Sequence, residues 1–239
     1  MFVIHFSKLP LFKLVDHLTQ QVVAPLSLSH HPDCSATSLD LQAFRQQWQQ
    51  LQQLTPNDPN QSMPSSAESI DALQVDWLID LFNTLFSAQN VRLVRGESEP
   101  EYFPATETAA ARIEFAHGFF QSALHEISHW SLAGKHRRTL PDFGYWYAPD
   151  GRTEDQQQAF EQVEIKPQAI ECLLSLMCGR NFRVSQDNLH ADFDTSQSTF
   201  EKDVYNQAKL YIDTPQNLPT DAKTLLTVLA FVCHDTIGT

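Results

Sequence analysis

The pentapeptide His125-Glu126-Ile127-Ser128-His129 constrains this chain more than any other stretch. Two histidines four residues apart share one face of an α-helix, with about 5–6 Å between their Cβ atoms. That spacing brings two imidazole nitrogens to one metal ion and sets Glu126 beside them. The pattern asks for a helix here and for a second element that brings further ligands to the same point. Its surroundings fit, because Phe119 through Ala133 read as a helix. Gly134 and the cationic run Lys135, His136, Arg137 and Arg138 read as its stop. The blander reading, an inert helix whose histidines meet core partners, stands beside this one.

Two histidines leave a divalent ion under-coordinated, so a carboxylate from elsewhere is expected. A helix predicted from about Thr153 to Met177 offers Glu161, Glu164 and Glu171, although a solvated surface position is the commoner fate of any single Glu. Glu164 and Glu171 share a face, and Glu161 lies one turn before them. Glu164 is favoured because Val163 and Ile165 flank it. Pro167 should kink or restart this helix. Two His and one carboxylate with open positions fit Fe(II) oxygen chemistry. The same set fits a hydrolytic zinc ion, and the residues alone do not separate the two. In a hydrolase Glu126 would take the proton from a metal-bound water. Otherwise it orients a ligand or neutralises a substrate ammonium. His117 reads as a strand-end or core histidine, with support of the metal ligands as the alternative.

A second marked feature is the loop Asp142-Phe143-Gly144-Tyr145-Trp146-Tyr147-Ala148-Pro149-Asp150-Gly151-Arg152. Tyr145, Trp146 and Tyr147 in series cannot all face one core, so some are expected to line a cavity for cations or aliphatic stems. A loop anchored by its own aromatics is the plainer reading. Asp142 and Asp150 are turn residues that can also meet a substrate amine.

Composition bounds the rest. With 42% hydrophobic and 19% charged residues and a mean hydropathy of −0.32, the chain reads as globular. No stretch approaches the roughly 20 apolar residues of a membrane span. The start, Met1 to Phe6, predicts no signal peptide, and a cytoplasmic chain is expected. A net charge of −13 argues against general nucleic-acid affinity and suits a cationic substrate. Lys135 to Arg138 is the local exception, either a solvated helix end or a dock for an acidic partner or a phosphate. Cys34, Cys172, Cys178 and Cys233 form no C-x-x-C pair, and Cys172 and Cys178 read as buried thiols.

Along the chain, residues 1–69 read as an N-terminal extension with weak helical patterns at Leu9–Val22 and Leu39–Leu54. Pro-containing linkers surround these, and Gln46–Gln53 is expected to be a surface helix or partly disordered. Residues 70–239 form the metal-binding domain. It carries a helix over Ile70–Ser87, strands at Val91–Val94 and Arg112–Phe115 around a Pro100–Pro104 segment, and a short strand at Phe182–Val184. Two or three helices close it. The expectation is an α+β fold: one compact domain with a small sheet packed on helices, the metal site on a central helix, and the extension.

Three runs together resemble the bacterial elongation factor P hydroxylase family. They are His117-Gly118-Phe119-Phe120 with His125 to Trp130, Asp142 to Tyr147 with Pro149 to Arg152, and Val163-Glu164-Ile165-Lys166-Pro167-Gln168-Ala169. Asp187-Asn188-Leu189 after Val184-Ser185 extends the match, which spans roughly residues 71–195 and continues weakly beyond. The resemblance implies a compact α+β protein with a two-histidine, one-carboxylate iron site, here His125, His129 and Glu164. It also implies O2 as co-substrate, and as partner elongation factor P carrying a β-lysyl-lysine, whose side chain is hydroxylated. Glu126 then becomes a ligand-orienting or substrate-contacting residue. The chain shows no 2-oxoglutarate arginine motif, no G-x-G-x-x-G and no ferredoxin pattern, so the sequence names no source for the reducing electrons and no co-substrate beyond O2. Two alternatives belong to other classes: a zinc-dependent peptidase or nuclease with Glu126 as general base, and a binding module with a structural metal.

Overall fold

A computed structural model describes residues 4–21, 40–54, 67–144, 151–188, 193 and 198–234. Among these it contains seven α-helices and one three-stranded sheet. The helices are α1 (Leu11–Gln21), α2 (Leu41–Gln53), α3 (Ala67–Leu85), α4 (Phe120–Leu132), α5 (Glu154–Met177), α6 (Phe200–Asp213) and α7 (Thr220–Cys233). The strands β1 (Val91–Arg95), β2 (Glu101–Phe103) and β3 (Ala111–Phe115) all lie between α3 and α4. The α+β expectation holds.

In the sheet, β3 is central, parallel to β1 and antiparallel to β2. Its register puts Leu93, Ile113 and Tyr102 in one row, all buried on the face turned to the helices. On the other face the Arg112 guanidinium lies 4.4 Å from the Phe103 ring centroid and pairs with Glu114 at 2.9 Å. The sequence reading missed β2, whose three residues are hidden between Pro100 and Pro104. The strand expected at Phe182–Val184 is absent. Just after it, the Gln168 side chain takes both backbone groups of Ser185, donating to its carbonyl at 2.8 Å and accepting from its N–H at 3.0 Å.

Local chemistry sets the helix ends. Thr153 and Gln156 form a reciprocal capping box at the start of α5. Pro167 does not restart that helix, which runs as one element of 24 residues to Met177. Packing against α4, α6 and α7 offsets the hydrogen bond that Pro167 removes. At the start of α4 the residue before the helix is Phe119, which offers no side-chain cap. Asp71 of α3 serves in its place, accepting from the Phe120 N–H at 3.4 Å. Arg180, just past the end of α5, then ties α3 to α4: it meets Asp71 at 2.5 Å and Gln121 at 3.0 Å, bonds Gln74, and lies 4.0 Å over the Phe120 ring.

The cationic end of α4 is built differently from a glycine cap. Ala133 leaves the helix in an extended conformation, and Gly134 is not left-handed. The carbonyl of Trp130 is taken by Arg138, whose Nε and Nη2 donate to it at 3.1 and 2.8 Å. The same guanidinium pairs with Asp221 of α7 at 2.6 Å and stacks 3.9 Å over the Trp130 ring. Arg138 is therefore a structural tie between α4 and α7, while Lys135, His136 and Arg137 are exposed.

One apolar core runs through the molecule, and α1 and α2 belong to it. The Gln-rich α2 is amphipathic and presents Trp48, 3% exposed, to Trp77 at 4.5 Å and to Phe120 at 6.1 Å. The Trp77 indole N–H donates to the Phe44 carbonyl at 3.1 Å. Cys172 and Cys178 are buried as expected; Cys34 lies outside the described residues. Among the described residues no helix is long and apolar enough to cross a membrane.

Candidate metal centre

The α4–α5 interface carries the chemistry. α4 presents His125 and His129 one turn apart, and α5 faces them with Glu164, Gln168 and Glu171. On α5 these three recur with helical period, so they form one inward stripe in a helix whose exposed faces carry Val163 and Lys166. Glu164 is buried for that reason and not because its neighbours are: Val163 is 43% exposed.

His125 Nε2 and His129 Nε2 are 3.0 Å apart. Glu164 Oε1 lies 3.3 Å from His129 Nε2, and Oε2 lies 3.6 Å from His125 Nε2. The donor atoms of His125, His129 and Glu164 all fall within 4.8 Å of one another. Three donors about 2.1 Å from a common ion have such edges when they occupy one face of its coordination shell. The donor set is thus two neutral-capable imidazoles and one carboxylate, which suits Fe(II) or Zn(II).

Among the three carboxylates foreseen on α5, the geometry separates the roles. Glu161 accepts from Gln157 at 3.3 Å, Gln186 at 3.2 Å and Ser198 at 2.7 Å, away from the histidines. Glu171 Oε2 accepts from His125 Nδ1 at 2.8 Å, on the opposite side of the ring from Nε2. Gln168 donates weakly to Glu164 at 3.5 Å while holding Ser185.

The electrostatics favour a cation. Burial pushes His125 down, but the hydrogen bond and charge of Glu171, with the charges of Glu164 and Glu126, carry it up to about 10. Burial likewise pushes Glu164 up, yet the charge and hydrogen bond of His129 and the charge of His125 hold it at about 2. Glu126 is half-buried, and burial raises its pKa against the pull of the histidines. Among the described residues no hydrogen bond engages its carboxylate.

Asp142 accepts from the Tyr102 N–H through Oδ1 at 2.9 Å, and Phe143 stacks on the Tyr102 ring at 4.1 Å. Asp142, Phe143 and Gly144 are consecutive left-handed residues, a costly run held by these contacts and by Arg137 donating to the Phe143 carbonyl at 3.1 Å. Tyr145, Trp146 and Tyr147 lie outside the described residues. His117 stands at the end of β3, exposed and left-handed, and is not a core histidine. Sequence reasoning missed Arg152, 3% exposed, which lies 3.9 Å over Phe160 and binds Gln157 and the carbonyls of Gln186 and Asp187. It sits in a turn-rich segment, and nothing local marks it as buried.

The family model described as elongation factor P hydroxylase matches residues 81–236, which include all of the candidate site. The chain belongs to the elongation factor P hydroxylase family. A curated relative, the elongation factor P lysine hydroxylase of Haemophilus influenzae, is 48% identical over 154 residues, 64% of this chain and 85% of the relative. Helices α1 and α2 and the first part of α3 precede the residues that the family model matches.

Proposed function

We propose that this chain is a cytoplasmic, non-haem iron enzyme that hydroxylates the β-lysylated lysine side chain of elongation factor P with O2. The observation that carries the reading is the convergence of His125, His129 and Glu164 to one point inside a chain of this family. Held by these three, Fe(II) with open positions would supply the activation of O2. The donor set also accepts zinc, and membership of a hydroxylase family is what favours iron over a hydrolytic centre with Glu126 as base.

The chain's own residues receive the substrate. A β-lysyl-lysine is a long aliphatic stem ending in ammonium groups. In this reading Tyr145, Trp146 and Tyr147 cover the stem. Glu126, whose carboxylate has no hydrogen-bond partner among the described residues, takes an ammonium, and Asp142 keeps Oδ2 for a second one. Insertion of one oxygen atom into a C–H bond, with the other leaving as water, consumes two electrons and two protons from a cellular reductant.

The test is mass spectrometry of elongation factor P co-expressed with this chain or with its His125→Ala variant. A gain of one oxygen on the β-lysylated lysine with the first only is expected. Unmodified elongation factor P in both, or activity that persists without O2 in a zinc-loaded protein, refutes the reading.

A further inference from the structure

The two ends of the His125 ring are held by different carboxylates of the same helix, and only one of them belongs to the donor triad. We infer that Glu171 is a positioning residue that fixes the tautomer and the ring plane of His125. The inference rests on the metal-site reading above.

Glu171 Oε2 lies 2.8 Å from His125 Nδ1, and a carboxylate oxygen accepts in such a contact, so Nδ1 carries the hydrogen. Nε2 is then the nitrogen whose lone pair is left for a metal, and it is the one aimed at His129 and Glu164, at 3.0 and 3.6 Å. With the opposite tautomer, Nδ1 and Glu171 would be two acceptors in contact, and the Nε2 hydrogen would point into the triad. Glu171 itself cannot join that triad, because the width of the imidazole stands between Oε2 and the donor atoms. It is 8% exposed and sits among the buried residues Ile170, Cys172 and Ser175, so its position is set by the α5 backbone. The His125 and His129 planes cross at 72°, with centroids 4.7 Å apart, so a free rotation of either ring would spoil the convergence. Glu171 holds one of them against it. Carboxylates that bond the far nitrogen of a metal-ligating histidine orient the ring and raise its basicity.

The test reads metal binding with no reaction involved. Protein stripped of metal is titrated with Co(II), recording both affinity and the visible absorption of the bound ion, for the unaltered chain, Glu171→Gln and Glu171→Ala. Glu171→Ala should bind about 10–100-fold more weakly with an altered Co(II) spectrum. Glu171→Gln keeps an acceptor oxygen and should lie between the two. Co(II) affinity and spectrum unchanged in Glu171→Ala would overturn the inference. If Glu171→Ala shows no cooperative melting, Glu171→Gln carries the test alone: weaker binding supports the role, and unchanged binding overturns it. The outcome is separable from the hydroxylase reading, since an unaltered chain that binds Co(II) but leaves elongation factor P unmodified rejects that reading only.

Discussion

Glu164 and Glu171 stand on opposite sides of one imidazole: Glu164 Oε2 is 3.6 Å from His125 Nε2, and Glu171 Oε2 is 2.8 Å from His125 Nδ1. Two helical turns of α5 therefore divide the labour between a donor and a group that aims a donor.

This division predicts the ranking of carboxylate variants. Glu164→Ala should lose metal by elemental analysis of the purified protein and lower hydroxylation by at least about 100-fold, as should His125→Ala and His129→Ala. Glu161→Ala should keep its metal, because Gln157, Gln186 and Ser198 claim that carboxylate. Metal loss in Glu161→Ala with retention in Glu164→Ala would reverse the assignment.

The pH dependence follows from the same groups. His125 is raised to about 10, so its pairing stabilises the metal-free protein fully below its ordinary 6.5 and is lost as pH rises through about 10. Glu164 is lowered to about 2, so its contribution is present above its ordinary 4.5 and is lost as pH falls through about 2. Thermal melting of metal-free protein should be highest near pH 5–6, about where both contributions are whole, and should fall toward pH 10. A divalent ion must displace the His125 proton, so its affinity should climb by up to about tenfold per pH unit from neutrality toward 10. An affinity flat with pH, measured by competition with a chelator, would contradict this.

Arg138 is expected to behave as a fold residue and not as a docking cation. Its tie of the Trp130 carbonyl to Asp221 predicts that Arg138→Ala costs about 2–4 kcal/mol in urea denaturation. A double-mutant cycle with Asp221→Ala should show coupling between them. Replacing Lys135 and His136, which are exposed, by glutamate should leave stability within about 0.5 kcal/mol.

Trp48 makes the N-terminal helices matter for the rest. Trp48→Ala should cost about 3–5 kcal/mol, because the indole fills a site between Trp77 and Phe120. A chain beginning at residue 67 would uncover both aromatic rings and should melt well below the full chain in calorimetry. An unchanged melting temperature in either variant would show that α2 packs without stabilising the core.

Much of this was legible beforehand, for identifiable reasons. α4 and α5 carry strong local signals: the His125/His129 spacing, the stop after Ala133 and the carboxylates of α5 at helical intervals. β2 was not legible, because three residues between two prolines become a strand only when β3 offers its edge. The weak pattern of α2 hid Trp48, since one aromatic among glutamines looks solvated until Trp77 and Phe120 close over it. Arg138 looked like one more solvated cation until α7 brought Asp221 to it.

By itself the sequence determined that a helix carries two histidines on one face, that a second helix carries acidic residues at matching intervals, and which family the motifs resemble. These are properties of spacing along one chain, and helical geometry converts spacing into direction without reference to the rest of the fold. Only the tertiary structure decided which acid meets the histidines and which end of the ring each one touches. That choice depends on how α5 is rotated against α4, which the burial of residues throughout the core sets together, including those of α1 and α2 far away in sequence.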